Sequence, residues 1–458
     1  MSTDLKQYGY EQSLKRVLPL SYLVFYGLAY LAPLTIFSTY GIVTSMTHGM
    51  LALCYILATG AMLFTAYSYS QMVKAYPMAG SVYSYVQRSI NPHLGFLAGW
   101  AILMDYLLIP MINYLLMSLF GQAVFPNVPA WVWILGTIAL VTVVNIVGIQ
   151  VTAWANNILV GVQFVFLLAL IIFIFKWVGA GEGAGTFFDF SAILNTVEFG
   201  KEGMGWGIIW TGASILTLSY LGFDAVTTVA EEAIAPEKNV GRAIIIVCLG
   251  AGAMFVSVAY LMQISWPNAW SEFQSVDTGA YELISKVMGS SIGSIFTSMF
   301  LVAGTASAIA CQSSAARILY GMGRDGALPK KFFGYLHPKF KTPVLNIIMI
   351  SFIGLTAFFM DLNLAISLVN FGALAGFTLV NISVIFHYFI RGKQRTGMAF
   401  VKYLLVPAIG ASIVFSIWLS LDSHSKTLGT VWLVLGVIYL AATTNFFKKL
   451  PPDFKIEA

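Results

Sequence analysis

Charge is what this sequence has least of. Asp, Glu, Lys and Arg make up 9% of its 458 residues, against 59% hydrophobic residues. A soluble domain carries about 25% charged residues, so a soluble fold is excluded. The usual scaling of length to domain number goes with it. Cysteine is rarer still: Cys54, Cys248 and Cys311 all fall inside apolar stretches. An odd number at such positions excludes a disulfide framework, and they read as packing residues. The five histidines (His48, His93, His337, His387 and His424) are scattered among loops and stretch ends, so no metal site is expected. HExxH and CxxC are absent, and no enzymatic activity or cofactor is signalled. The Gly-rich run Tyr320–Pro329 lacks GxxxxGK[ST] and follows an apolar stretch, which argues against nucleotide binding. The net charge of +5 does not point to nucleic acid.

What is abundant is apolar length. Mean hydropathy is +0.83, and a helix crosses the hydrocarbon core with about 20 apolar residues. Twelve such stretches are present: 17–46, 49–73, 93–124, 130–150, 154–178, 206–232, 240–265, 288–318, 344–360, 364–388, 401–420 and 427–447. The first 16 residues are polar and the next apolar run is too long for a signal peptide, so none is expected.

Basic residues fix the expected orientation. With the N-terminus inside, 20 of the 24 Lys and Arg fall in inside segments; only Lys176, Lys201, Lys286 and Lys426 fall outside. That asymmetry predicts both termini in the cytoplasm. The long outer connections, 179–205 and 267–287, carry carboxylates and a GAGEGAG run and read as solvated linkers.

Two stretches depart from a plain membrane anchor. The first contains Gly27-Leu-Ala-Tyr-Leu-Ala-Pro33, and the sixth contains Ser219-Tyr-Leu-Gly222-Phe-Asp224. They run in opposite directions and head two five-span units, 17–178 and 206–388. Interrupted helices at matching positions in inverted halves point to a transporter's central site. The halves show no strong residue-level similarity, so the repeat rests on span number, orientation and paired breaks.

Only two carboxylates lie well within spans, Asp105 and Asp224, and no Lys or Arg sits at mid-depth. A buried carboxylate without a basic partner must take a proton or bind a cation. Both suit a carrier, and Asp224 is the proton-coupling candidate. Flanked by Tyr30, Tyr106, Tyr220 and Phe223, such a carboxylate suits an alkylammonium through charge pairing and cation–π contact. Glu231, Glu232 and Arg242, with Lys238, lie towards the cytoplasmic end and are candidates for an inner salt-bridge gate.

Several motifs are those of a known group. Tyr76-Pro-Met-Ala-Gly80-Ser-Val-Tyr83-Ser-Tyr85 with Gly95-Phe-Leu-Ala-Gly99-Trp100 resembles the amino acid–polyamine–organocation (APC) family. So do Gly222-Phe-Asp224 through Arg242, and Arg317 through Pro343. Within it, Gly27–Pro33, Asn91-Pro-His93, Leu103-Met-Asp105-Tyr106, Pro110-Met-Ile-Asn113 and Phe371-Gly-Ala resemble the bacterial putrescine importers. The resemblance implies an all-α integral membrane protein with a LeuT-like five-plus-five inverted repeat. It implies that helices 1 and 6 are broken and that two extra helices occupy 389–447. It implies secondary uptake of a small amine or amino acid at a site around Ala29, Tyr30, Ala32, Asp105, Tyr106, Ser219, Tyr220, Leu221, Phe223 and Asp224. The coupling ion is expected to be a proton, with sodium the alternative. The expected setting is a bacterial-type inner membrane, as a monomer or homodimer, with no nucleic-acid partner. The segments outside the spans are tails 1–16 and 448–458 and the outer loop 179–205.

Two departures bear on the substrate. Many amino acid carriers of the family have Gly-Ser-Gly at the first break, whose N–H groups hold the substrate carboxylate. Here Leu31-Ala32-Pro33 stands in its place, and proline has no N–H. That favours an amine. Putrescine importers also have Asp where this chain has Ser38, which leaves a monoamine or another amino acid open. In the fifth span, Asn156, Asn157 and Gln163 stand where some proton-coupled relatives carry a lysine. A channel or a transporter-like sensor using the same pocket is the rival outside the carrier class.

Overall fold

A computed structural model describes residues 15–448 except 79, 80, 126, 277, 278 and 361. Most of the two tails, and Gly80 of the quoted motif, lie outside the described residues. Among the described residues there is no strand, only one isolated parallel bridge between Leu18 and Ala233.

Among the described residues, eleven helices are long and apolar enough to cross a membrane. The ninth expected span is the exception: its apolar helix, Val344–Phe358, is shorter than the rest. Pro343 fixes its start and the helix tightens to 3₁₀ geometry over Leu355–Phe358. The sixth span, Trp206–Glu232, is the most enclosed, with 89% of its apolar window buried. The last two, Met398–Leu419 and Ser423–Thr443, are the least enclosed at 17%. The sequence signal follows this difference. The sixth span carries polar residues that neighbouring helices satisfy, whereas Met398–Leu419 is largely apolar.

Helices α1 (Leu20–Leu31) and α2 (Ile36–Met46) form the first span. They are followed by α3 (Leu51–Ala75), α4 (Ser81–Ser89), α5 (Pro92–Val124), α6 (Ala130–Val147) and α7 (Ile149–Gly179). The sixth span starts with α8 (Trp206–Leu216), followed by α9 (Pro236–Ser265) and, after the outer connection, α10 (Ser290–Arg324). The closest packing joins α3 to α9 and α5 to α10. These pairs form the walls around the first and sixth spans.

The connections carry helices of their own. The segment after α3 folds into α4, whose side chains are almost all buried. The connection 267–287 contains the helix Gly279–Met288 and is not simply a solvated linker. It also presses on α2: a Cβ at Gly41 would fall 1.9 Å from the Val276 carbonyl oxygen.

Candidate functional site

Both expected breaks are present. In the first span α1 stops at Leu31, and Ala32 adopts the left-handed φ of 50°. Pro33–Thr35 forms a single 3₁₀ turn before α2 resumes. Pro33 ends the α-helical pattern because it has no N–H and its ring collides with the preceding turn. Gly27 lies inside α1, where a Cβ would come within 2.9 Å of Val226 and Val247. Its role is close packing against the sixth and seventh spans. In the sixth span α8 passes through the 3₁₀ turn Thr217–Tyr220. The chain then opens at Leu221 (ψ 123°) and Gly222 (φ 125°) before tightening again over Ala225–Glu232.

The two breaks touch. A Cβ at Gly222 would lie 2.6 Å from Tyr30 Cδ1 and 2.8 Å from the Leu31 amide nitrogen. Carbonyl groups released from the first helix find hydroxyl donors. Ser307 Oγ donates to Tyr30 O at 2.8 Å. Thr35 Oγ1 lies 2.6 Å from Leu31 O and 2.7 Å from Ala32 O. Ser38 Oγ donates to Thr35 O at 2.7 Å. An interrupted helix survives at membrane depth only with such partners.

Beside the first break is a cavity of about 60 Å³, lined from α5, α10 and both broken spans. Its walls include Tyr30, Ala32, Ser38, Asn113, Leu221 and Ser307. Besides Tyr30, the polar side chains there share one property. Thr35, Ser38 and Ser307 each give their only hydroxyl proton to a backbone carbonyl, so they face the cavity as acceptors. Asn113 Nδ2 donates to Ile109 O at 3.0 Å and Ser307 Oγ at 3.1 Å. Because a carbonyl cannot donate, this fixes the amide orientation. Asn113 Oδ1 is left beside Gly304.

The carboxylates form an adjoining cluster and are not part of the cavity lining. Asp105 and Asp224 are both 1% exposed and lie within range of each other's charge. Tyr106 donates to Asp224 Oδ2 at 2.6 Å. Tyr69 lies at 3.5 Å from the same atom, and the Gly222 amide reaches Oδ1 at 3.3 Å. Among the described residues, Asp105 Oδ1 is buried without a hydrogen-bond partner. Tyr30 is the shared wall: its ring lines the cavity and packs edge-on against Tyr106 at 5.9 Å.

The other expected residues face elsewhere. Ser219 meets Tyr55 at 3.0 Å and Tyr220 meets Thr59 at 2.5 Å, both on α3. Phe223 packs against Tyr69 and Phe377. Ala29 is fully buried. Thus Tyr30, Ala32 and Leu221 line the cavity, while Asp105, Tyr106 and Asp224 stand behind Tyr30. Ser307 escaped sequence reading because a serine in an apolar helix has many bland explanations. Ser38 and Asn113 stood out as motif residues but were not assigned as contacts.

At the basic end of the bundle, Glu231 and Glu232 are paired, though not with Lys238 or Arg242. Arg317 Nε donates to Glu232 Oε1 at 2.5 Å, with both side chains buried. Arg324 Nη1 reaches Glu231 Oε1 at 2.8 Å. Arg242 lines a separate surface pocket with Lys74 and Lys238. Arg317, expected at the inside end of its span, lies within α10 and is buried; its signal was the unmet charge of Glu232. The backbone adds a tie: the Val17 and Leu18 amides donate to Glu232 O at 2.9 and 3.0 Å, and Ile234 donates to Leu18 O at 2.9 Å. At the opposite end Glu198 accepts from Lys201 at 2.6 Å and pairs with His48 at 2.7 Å. Lys201, and then His48, hold the Glu198 carboxyl below the usual range. The His48 ring stacks on Trp270 at 4.1 Å.

A multi-pass helical bundle in which two interrupted helices meet beside a central cavity is the architecture of a membrane transporter. The chain belongs to the amino acid permease family, which it matches over residues 22–446, a family that fits the LeuT-like fold. It is 38% identical over 445 residues to the low-affinity putrescine importer PlaP of Escherichia coli (strain K12), covering 96% of each chain. It is 28% identical over 456 residues to the methylthioribose transporter of Bacillus subtilis (strain 168), covering 93% of each. Similarity to the branched-chain amino acid permease BcaP of the same organism is 26% over 456 residues, again 93% of each.

Proposed function

We propose that this chain is a secondary active carrier, not an enzyme, that imports putrescine or a related small amine by alternating access. The acceptor oxygens of Thr35, Ser38, Ser307 and Asn113 in the cavity wall carry this reading. An alkylammonium brings three N–H donors and no acceptor, which is the complement of Thr35, Ser38, Ser307 and Asn113 Oδ1. Pro33 removes a backbone N–H that a substrate carboxylate would use. The 38% identity to a putrescine importer supports the same choice.

In this reading Asp224 carries the coupling proton, and Asp105 is the second carboxylate of the cluster. Tyr30 and Tyr106 connect them to the substrate. Glu232–Arg317 and Glu231–Arg324 form the inner gate, with both termini in the cytoplasm of a bacterial-type inner membrane. Residues 17–178 and 206–388 act as the two inverted units, and 389–447 add two helices. The protein works as a monomer or homodimer.

Uptake of labelled putrescine into liposomes, with and without a pH gradient, tests the carrier. Saturable, gradient-stimulated accumulation is expected; no accumulation of any amine would sink the proposal. The likeness to BcaP favours amino acid transport as the second reading. Competition decides it: amines should block the labelled uptake and amino acids should not.

A further inference from the structure

A second pocket, of about 210 Å³, opens at the basic end, away from the central cavity. Lys15, just before α1, lines it together with Lys339 and Lys341 from the connection after α10. Among the described residues, the only carboxylate in its lining is Glu232, whose charge is already matched by Arg317 at 2.5 Å. Among the described residues the pocket therefore keeps the charge of three lysines.

The lysines sit on an ordered frame. His337 N donates to Thr342 O at 2.9 Å, and Lys341 N donates to His337 O at 2.9 Å, closing the loop on itself. The Lys339 and Phe340 amides both lie 3.3 Å from His337 Nδ1. Thr342 Oγ1 anchors the loop to the end of α6 by donating to Ile146 O at 3.0 Å. The floor is the α6–α7 junction at Gly148. Val143, Val147, Val151 and Trp154, on the two helices that meet there, are exposed apolar side chains. Lysines at the end of an apolar, outward-facing helix pair match an anionic headgroup with its acyl chains lying along the helices.

We propose that this pocket binds a phosphate-bearing anion, and that the ligand is the headgroup of an anionic phospholipid. The exposed valines and Trp154 favour a lipid over a soluble phosphate, which has no use for them. The site touches Glu232 and Val17, where the first and sixth spans are tied together. An occupied pocket thus bears directly on that mouth. The inference is independent of what the carrier transports.

The test uses the full-length protein in detergent, with phosphatidylglycerol, phosphatidylcholine and inorganic phosphate as probes. Bound ligand is read by native mass spectrometry, and thermal unfolding checks the fold. The variant Lys339→Gln/Lys341→Gln removes two charges from the pocket. Lys74→Gln/Lys238→Gln removes two from the neighbouring basic pocket and is the control. Phosphatidylglycerol should remain on the native protein and the control, with affinity at least about tenfold lower in the pocket variant. Lys15→Gln, outside the loop, should lower it several-fold without disturbing that loop. Phosphatidylcholine should not be retained. Lysine-dependent binding of inorganic phosphate without lipid retention would keep the site but overturn the lipid assignment. Equal loss in both double variants, or no binding of any phosphate-bearing probe, would overturn the site itself.

Discussion

Gly222 and Tyr30 hold the two broken helices in contact, with only 2.6 Å between the ring's Cδ1 and the place a Cβ would occupy. Gly222 also adopts a φ of 125°, which L side chains rarely accept. Gly222→Ala therefore meets both a clash and strained backbone. We expect a loss of roughly 1–3 kcal/mol, seen as a lower unfolding temperature in detergent, together with loss of uptake. Gly60→Ala, inside α3 with nothing within 4 Å, should be neutral or slightly stabilising.

The carboxyl cluster predicts a division of labour. Asp224→Asn keeps the shape but removes the charge that Tyr106 addresses at 2.6 Å. It should abolish uptake or uncouple it from the pH gradient; full gradient-driven uptake would mean a purely structural Asp224. Asp105→Asn should weaken amines selectively. An equal loss for every substrate would point to misfolding instead.

Ser38 tests the cavity directly, because it contributes an oxygen acceptor and, among the described residues, no carboxylate lines the same wall. Ser38→Asp adds a charged acceptor. A hydrogen bond to a charged group is worth about 1.5–3 kcal/mol, so the KM for a diamine should fall roughly tenfold relative to a monoamine. An unchanged ratio would place the substrate elsewhere.

Arg317 and Glu232 form a buried pair. Arg317→Met leaves a buried carboxylate alone and should cost about 3–5 kcal/mol. Adding Glu232→Gln removes the stranded charge and should recover much of that loss. The readout is thermal unfolding of both variants.

Glu198 gives a pH dependence at the opposite end. Its folded carboxyl is held low by Lys201 and His48. The contribution to stability is therefore complete above the ordinary Glu value of about 4.3 and disappears as pH falls through the lower folded one. The gap in unfolding temperature between native protein and Glu198→Gln should be open at about pH 5.5. It should close below about pH 4.

Apolar length made eleven of the helices legible in the sequence, since lipid enforces one pattern on every crossing segment. The paired breaks were legible for the same reason: Pro33 and Gly222 are misfits in a plain anchor. Their exact geometry was not. Gly27 looked like part of the break but is a packing contact with Val226 and Val247. Long-range pairing was hidden as well. Glu231 and Glu232 had Lys238 and Arg242 as sequence neighbours, yet folding brings them Arg317 and Arg324. Ser219 and Tyr220 share the sixth-span motif with Asp224, but their side chains reach α3 instead. Side-chain direction at a helix break depends on backbone torsions that no residue pattern specifies.

The backbone splice between Leu18 and Ala233 has a mechanical consequence. It joins the start of one broken helix to the end of the other, so neither can swing alone at that end. Parting them means losing three backbone hydrogen bonds and disturbing the Arg317–Glu232 contact in one event. An opening there should break these ties together, like a clasp, and substrate release should follow the frequency with which that clasp opens.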